Sequence, residues 1–66
     1  MINKFKRARL ISGQTQTEVA EKLGVSAVTV HKWENGESFP RVKRLKSVAD
    51  VLHVSVADLL EEERAV

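Results

Sequence analysis

Apolar positions recur along this chain at helical spacing and break at a few turn residues, and the pattern predicts five helices. The first spans about Ile2 to Ser12 and ends at Gly13. At about 100° per residue Ile2, Phe5, Ala8, Arg9 and Ser12 share one face. Leu10 lies nearly opposite and Ile11 at the margin, so one of them is expected to be exposed or used in association. Thr15 reads as the N-cap of the second helix, with Glu18 three residues on completing a capping box. Val19, Ala20 and Leu23 form its apolar stripe, and Gly24 ends it where positive φ is cheap. Val25 fills the turn, and Ser26 caps a third helix that runs to about Asn35 before Gly36 stops it. The fourth helix begins after Phe39-Pro40, with Val42, Leu45, Val48, Ala49 and Leu52 as its stripe. His53 stands where a terminal glycine would be expected. Ser55 caps the fifth helix with Asp58 three residues on, and Val56, Leu59 and Leu60 supply its apolar side.

The pattern repeats itself once. Leu23-Gly24-Val25-Ser26 and Leu52-His53-Val54-Ser55 share a Leu that ends a helix and is expected to be buried, a turn residue, a Val plug and a capping Ser. The chain therefore holds two helix-turn-helix units, and charge separates them. The fifth helix leads into Glu61-Glu62-Glu63, which a phosphate backbone would repel. The unit at about 15–35 is the expected reader, while residues at about 41–61 supply core and dimerisation.

Composition agrees with a small helical domain. The 66 residues make one unit, 1–66, with 42% hydrophobic residues, three aromatics, one Pro and three Gly, too little turn material for a β-rich fold. Cysteine is absent, which removes disulfides, zinc–thiolate sites and a thiol nucleophile, and is compatible with a reducing cytoplasm. Net charge is only +2, but it is polarised. Residues 1–47 carry ten Lys and Arg against four Asp and Glu, whereas residues 48–66 carry one against five. A basic front would attract a polyanion and an acidic end would face away from it. No apolar run suits a secretory leader or a membrane span, and Ile2 and Phe5 read more simply as core than as an amphipathic anchor. A cytoplasmic location is the expectation.

The third helix then carries the candidate chemistry. Val30 and Trp33 define its core side. Val28, His31 and Lys32 define the opposite side, with Ala27 and Thr29 at the edges. An outward Val28 gains nothing from water, and could touch a thymine methyl in the major groove or be an ordinary scattered surface residue. Lys32 could donate to guanine O6/N7 or to phosphate, or simply be solvated, and His31 could donate to either or be incidental. Gln16 lies at the start of the second helix, whose free N–H groups suit a phosphate. Arg41, Lys43 and Arg44 cluster at the start of the fourth helix as a second phosphate contact, against the alternative of a solvated face. A metal role for His31 and His53 is rejected, because 22 residues separate them with no third ligand nearby.

These residues together resemble the Cro/cI-type (XRE) helix-turn-helix family of phage and bacterial repressors. The match runs through Ala8-Arg9, Gly13, Thr15-Gln16, Glu18-Val19-Ala20, Leu23-Gly24-Val25-Ser26, Val30, Trp33-Glu34-Asn35-Gly36, Pro40, Leu45, Ala49-Asp50, Leu52, Val54 and Leu59-Leu60. The resemblance implies an all-α, compact five-helix bundle that binds a double-stranded DNA operator, usually as a homodimer on a two-fold-related site. It puts Ala27, Val28, His31 and Lys32 at base-contact positions. Gln16, Ser26, Thr29, Asn35, Arg41, Lys43 and Arg44 fall at or beside backbone contacts. It also implies an internal salt bridge between Arg9 and Glu34. Three departures stand out. Gln14 replaces an apolar residue and is expected to loosen the corner between the first two helices. His53 replaces a small turn residue, and Ala27 replaces a Gln or Asn, so that specificity leans on Val28, Lys32 and DNA shape.

A transcriptional regulator is the leading expectation, with Leu59 and Leu60, and Val51 or Val66, as dimerisation residues. Glu18 and Glu21 on the second helix are candidate contacts for RNA polymerase. The alternative is an antitoxin-type interaction module that neutralises a partner toxin and also binds its own operator. An enzyme is the weakest reading, since a bundle this small leaves no sizeable cleft and no motif sets a nucleophile beside a base. No cofactor, metal, membrane or small-molecule ligand is expected.

Overall fold

The caps set where each helix starts. In the computed structural model, which describes residues 3–60, Asn3 caps the first helix by accepting from the Lys6 N–H. Its amide also donates to the Trp33 carbonyl at 2.8 Å, tying the chain start to the end of the third helix. Within the described residues the helices are α1 Lys4–Ile11, α2 Gln16–Leu23, α3 Ala27–Asn35, α4 Val42–Leu52 and α5 Val56–Leu60. Helix α1 is therefore shorter than the apolar pattern predicts, because Asn3 takes the cap position; Ile2 lies outside the described residues. The capping box of Thr15 and Glu18 forms as expected: the Glu18 N–H donates to Thr15 Oγ1, and the Thr15 N–H to Glu18 Oε1. Ser55 and Asp58 repeat it at α5.

Helices α1 to α4 bury Phe5, Ala8, Val19, Ala20, Val30, Trp33, Leu45, Val48, Ala49 and Leu52 against one another, and Leu59 of α5 closes the base. Phe5 sits between two rings, 6.2 Å from Trp33 and edge-on to Phe39 at 5.6 Å. Such pairs fix ring orientation as well as burying area. The loop before α4 is thereby held to α1, with Pro40 buried beneath it.

The two L-x-V-S turns are built alike. Gly24 and His53 are both left-handed, at φ 71° and 62°. The Val25 N–H reaches the Ala20 carbonyl at 3.0 Å, and the Val54 N–H reaches Ala49 at the same distance. His53 is the only described non-glycine residue with positive φ, which costs a side-chain-bearing residue about 1–2 kcal/mol.

Four expectations change. Val42 is 83% exposed rather than part of the core stripe: Arg41 is the N-cap, so Val42 opens the helix ahead of the turn on which Leu45 first reaches the core. Leu23 is only partly buried, because it ends α2 at the rim. Leu10 and Ile11 are both exposed, where one was expected to be. Gln14 tightens its corner instead of loosening it. It is buried, donates to the Val51 carbonyl at 2.8 Å and to Ser12 Oγ at 2.9 Å, and accepts from Lys22 Nζ at 2.7 Å. A buried amide with its partners in place costs little and specifies geometry.

Candidate nucleic-acid interface

Helix α3 is held from below and bare above. Val30, Trp33 and Glu34 face the protein, while Val28, His31, Lys32 and Asn35 are exposed. Val28 stands out, an apolar side chain 61% exposed in the helix's first turn. Ala27 is partly buried against the core, so it sits at the edge of this face rather than on it. Ser26 and Thr29 are occupied locally. Ser26 Oγ accepts from the Thr29 N–H at 3.1 Å and shares a hydrogen bond with Thr29 Oγ1 at 3.0 Å.

Beneath α3 lies a buried ion pair. Arg9 Nε donates to Glu34 Oε2 at 2.6 Å and Nη2 to Oε1 at 3.1 Å, a two-pronged contact between α1 and α3. The remaining Nη1 donates to the Gln14 carbonyl at 2.9 Å, so the guanidinium is used on both sides. Such a pair contributes little net stability against desolvation, yet removing one partner leaves a buried charge uncompensated. Among the described residues no buried side-chain polar atom lacks a partner.

Gln16 extends this network outward. Its Nε2 donates to Glu34 Oε1 at 2.9 Å and lies 3.4 Å from His31 Nδ1. The side chain of Gln16, a residue expected at or beside a backbone contact, is thus turned toward the protein. His31 Nε2 in turn meets Asn35 Nδ2 at 2.9 Å, and that amide also reaches Glu37 Oε2 at 3.3 Å.

The second basic group divides in its roles. Arg41, Lys43, Arg44 and Ser47 line a shallow depression at the start of α4. Arg44 Nη1 donates to the Leu23 carbonyl at 2.9 Å, where a cation complements the C-terminal end of the α2 dipole. Arg41 and Lys43 are exposed. The structure adds Ser47 to this group and gives Gln14, Lys22 and Arg44 bracing roles. Spacing along α4 would have found Ser47, one turn beyond Lys43 and Arg44. Nothing local marks a Gln as a buried tie.

Toward the other end, Leu59 is 1% exposed, and its side chain is spent on the core. The expectation that it serves subunit contact therefore fails on burial; Leu60 and the partly buried Val51 remain near the surface, and Val66 lies outside the described residues. On α2, Glu21 is exposed, while the Glu18 carboxylate closes the capping box. Among the described residues no group of three or more His, Cys, Asp or Glu could hold a metal ion. No helix among them is long and apolar enough to cross a membrane.

Comparison with known proteins adds to this geometry. A family model described as helix-turn-helix matches residues 5–59. The chain is 32% identical over 63 residues to the HTH-type transcriptional activator BcrR of Enterococcus faecalis, covering 96% of this chain and 31% of that protein. It is 35% identical over 46 residues to the cryptic phage CTXphi transcriptional repressor RstR of Vibrio cholerae, covering 70% of this chain and 41% of that one. An HTH-type transcriptional regulator of Methanocaldococcus jannaschii is 36% identical over 59 residues, 89% of each chain. The chain thus spans less than half the length of the first two relatives. No solved structure gives a significant match.

Proposed function

This chain belongs to the helix-turn-helix family, and from that premise we propose that it is a sequence-specific regulator of transcription that lays α3 in the major groove of an operator. The observation that carries the reading is Val28, apolar and 61% exposed beside His31 and Lys32 on a helix whose inner side is locked by a buried ion pair. Val28 takes a thymine methyl, Lys32 a guanine edge or phosphate, and His31 a base-edge acceptor. Ala27, Ser26 and Thr29 lie at the margin and fit against backbone or sugar. The first N–H groups of α2, at Gln16, face a phosphate, as does Asn35 at the far end of α3. Arg41 and Lys43, with the free edge of Arg44, grip the neighbouring strand.

The operator is two-fold related and bound by a homodimer, with Leu60 and Val51 near the contact and recognition helices about 34 Å apart, one DNA turn. Glu21 is the candidate contact for RNA polymerase; Glu21→Lys should change activation while leaving operator affinity intact. Selection of bound sites from a random duplex pool tests the reading directly. A recurring half-site repeated with two-fold symmetry is the expected result, and recovery of sequences no different from the input pool would overturn it. With three α4 cations from each subunit on phosphates, log affinity should fall against log salt with a slope of about −5.

A further inference from the structure

His31 lies between two amides that both present N–H groups to it, and no protonation state of an imidazole satisfies both. A neutral ring has one donor and one acceptor nitrogen, and a charged ring has two donors. One amide must give way, and chemistry says which. Glu34 is buried and paired with Arg9, so its Oε1, 2.9 Å from Gln16, can only accept. Gln16 must therefore aim its NH₂ group, not its carbonyl, at that carboxylate, and the second hydrogen of the same nitrogen faces His31 Nδ1 at 3.4 Å. Asn35 has no such anchor: its competing partner is the exposed Glu37 at 3.3 Å. A half-turn of the Asn35 amide puts Oδ1 opposite His31 Nε2 at the 2.9 Å separation.

We propose that Gln16, pinned by the buried carboxylate of Glu34, fixes His31 as a one-way hydrogen-bond donor whose Nε2–H reads an acceptor on a base edge, with Asn35 holding that N–H until DNA takes it. The inference rests on α3 being the element that faces DNA. Gln16 is then a positioning residue, acting on the base through the histidine ring. The device passes the rigidity of the Arg9–Glu34 pair to a surface side chain. It also selects sequence by sign, since a donor fits purine N7, guanine O6 or thymine O4 and clashes with the amino groups of adenine and cytosine.

Ring nitrogen spectra of the ¹⁵N-labelled protein at mildly alkaline pH, where a free imidazole is neutral, test the lock without DNA. Exposed His53 is the internal reference. The expected result is a larger Nε2–H fraction at His31 than at His53, lost in Gln16→Ala and kept in Asn35→Asp, which can only accept. Equal fractions at the two histidines, or no change in Gln16→Ala, would overturn the proposal. Added operator duplex, chosen by the selection above, should shift the His31 ring signals. His31→Ala should weaken that duplex by up to about tenfold and leave a scrambled duplex unchanged, the scale of one hydrogen bond. If binding is specific but the ring signals stay still and both duplexes weaken alike, the donor role falls while the regulator reading stands. If no duplex is preferred, both fall.

Discussion

The α2–α3 and α4–α5 pairs have the same joint and different surfaces. Both turn through a left-handed residue, plug the corner with Val and restart on a capping Ser, with matching 3.0 Å bonds from Val25 and Val54. The helices that follow diverge. Helix α3 keeps Val28, His31 and Lys32 outside, whereas α5, over its described residues, turns Leu59 fully inward. At the position of Val28, two residues past the capping Ser, α5 has Ala57. Turn chemistry thus fixes how two helices connect, while outward side chains and charge decide what the second one can offer a partner.

The two second helices are also anchored by different physics, and removing each anchor separates them most sharply. Glu34→Ala strands the Arg9 guanidinium in a buried site and should cost about 3–5 kcal/mol in urea unfolding, enough to unfold a domain this small. Leu59→Ala should cost about 2–5 kcal/mol through the cavity it leaves. The two differ in what survives: below the unfolding transition Leu59→Ala should retain the base preference of the parent.

Next in size is the proposed reading surface. Val28→Ser and Lys32→Ala should each change affinity by about 1–3 kcal/mol at particular half-site positions, while Ala57→Ser does nothing to DNA binding. Arg41→Ala should weaken all duplexes alike and make the salt slope shallower by about one per subunit. If Val28→Ser and Arg41→Ala behave identically on operator and random DNA, the division into reader and grip is wrong.

The joints can be exchanged as well. His53→Gly relieves a left-handed side chain but frees the unfolded chain, for a net gain of about 0.5–1 kcal/mol. Gly24→Ala should lose about 1 kcal/mol, and through backbone strain alone, because a Cβ there meets nothing within 4 Å. Thermal unfolding of both variants would show whether the two turns are as equivalent as their bonds suggest.

What could be read from the sequence follows the range of the forces involved. Caps, left-handed turn residues and the apolar stripes are local, so Thr15, Ser26, Gly24 and Val48 stand where the pattern puts them. Arg9 with Glu34, 25 residues apart, came from family resemblance and not from periodicity. The Gln14 tie and the bracing bond of Arg44 are silent because their partners are main-chain carbonyls, Val51 and Leu23, on distant helices, and a carbonyl leaves no mark in a sequence. Val42 and Leu59 were misjudged because helical phase gives a direction but not a depth.

The smallest expected difference lies in the caps. Asp58 replaces Thr29 at the third position after the capping Ser, and its carboxyl is held below the ordinary carboxylate range. The first cause is the Ser55 backbone N–H, then the Ser55 hydroxyl, with the charge of Lys4 adding to both against slight desolvation. A carboxyl whose folded pKa is depressed stabilises the fold above its unfolded pKa, and that contribution fades as pH falls through the folded value. The α5 cap should therefore weaken only in acid, below the usual carboxylate titration, while the hydroxyl cap of Ser26 and Thr29 does not respond. Because Asp58 is fully exposed, the effect is small and salt-sensitive. Amide hydrogen exchange at α5 and α3, compared at neutral and acid pH, would show it as selective loss of protection at α5. Asp58→Asn should remove the acid dependence at α5, and equal loss at both helices would mean that acid acts on the core instead of the cap.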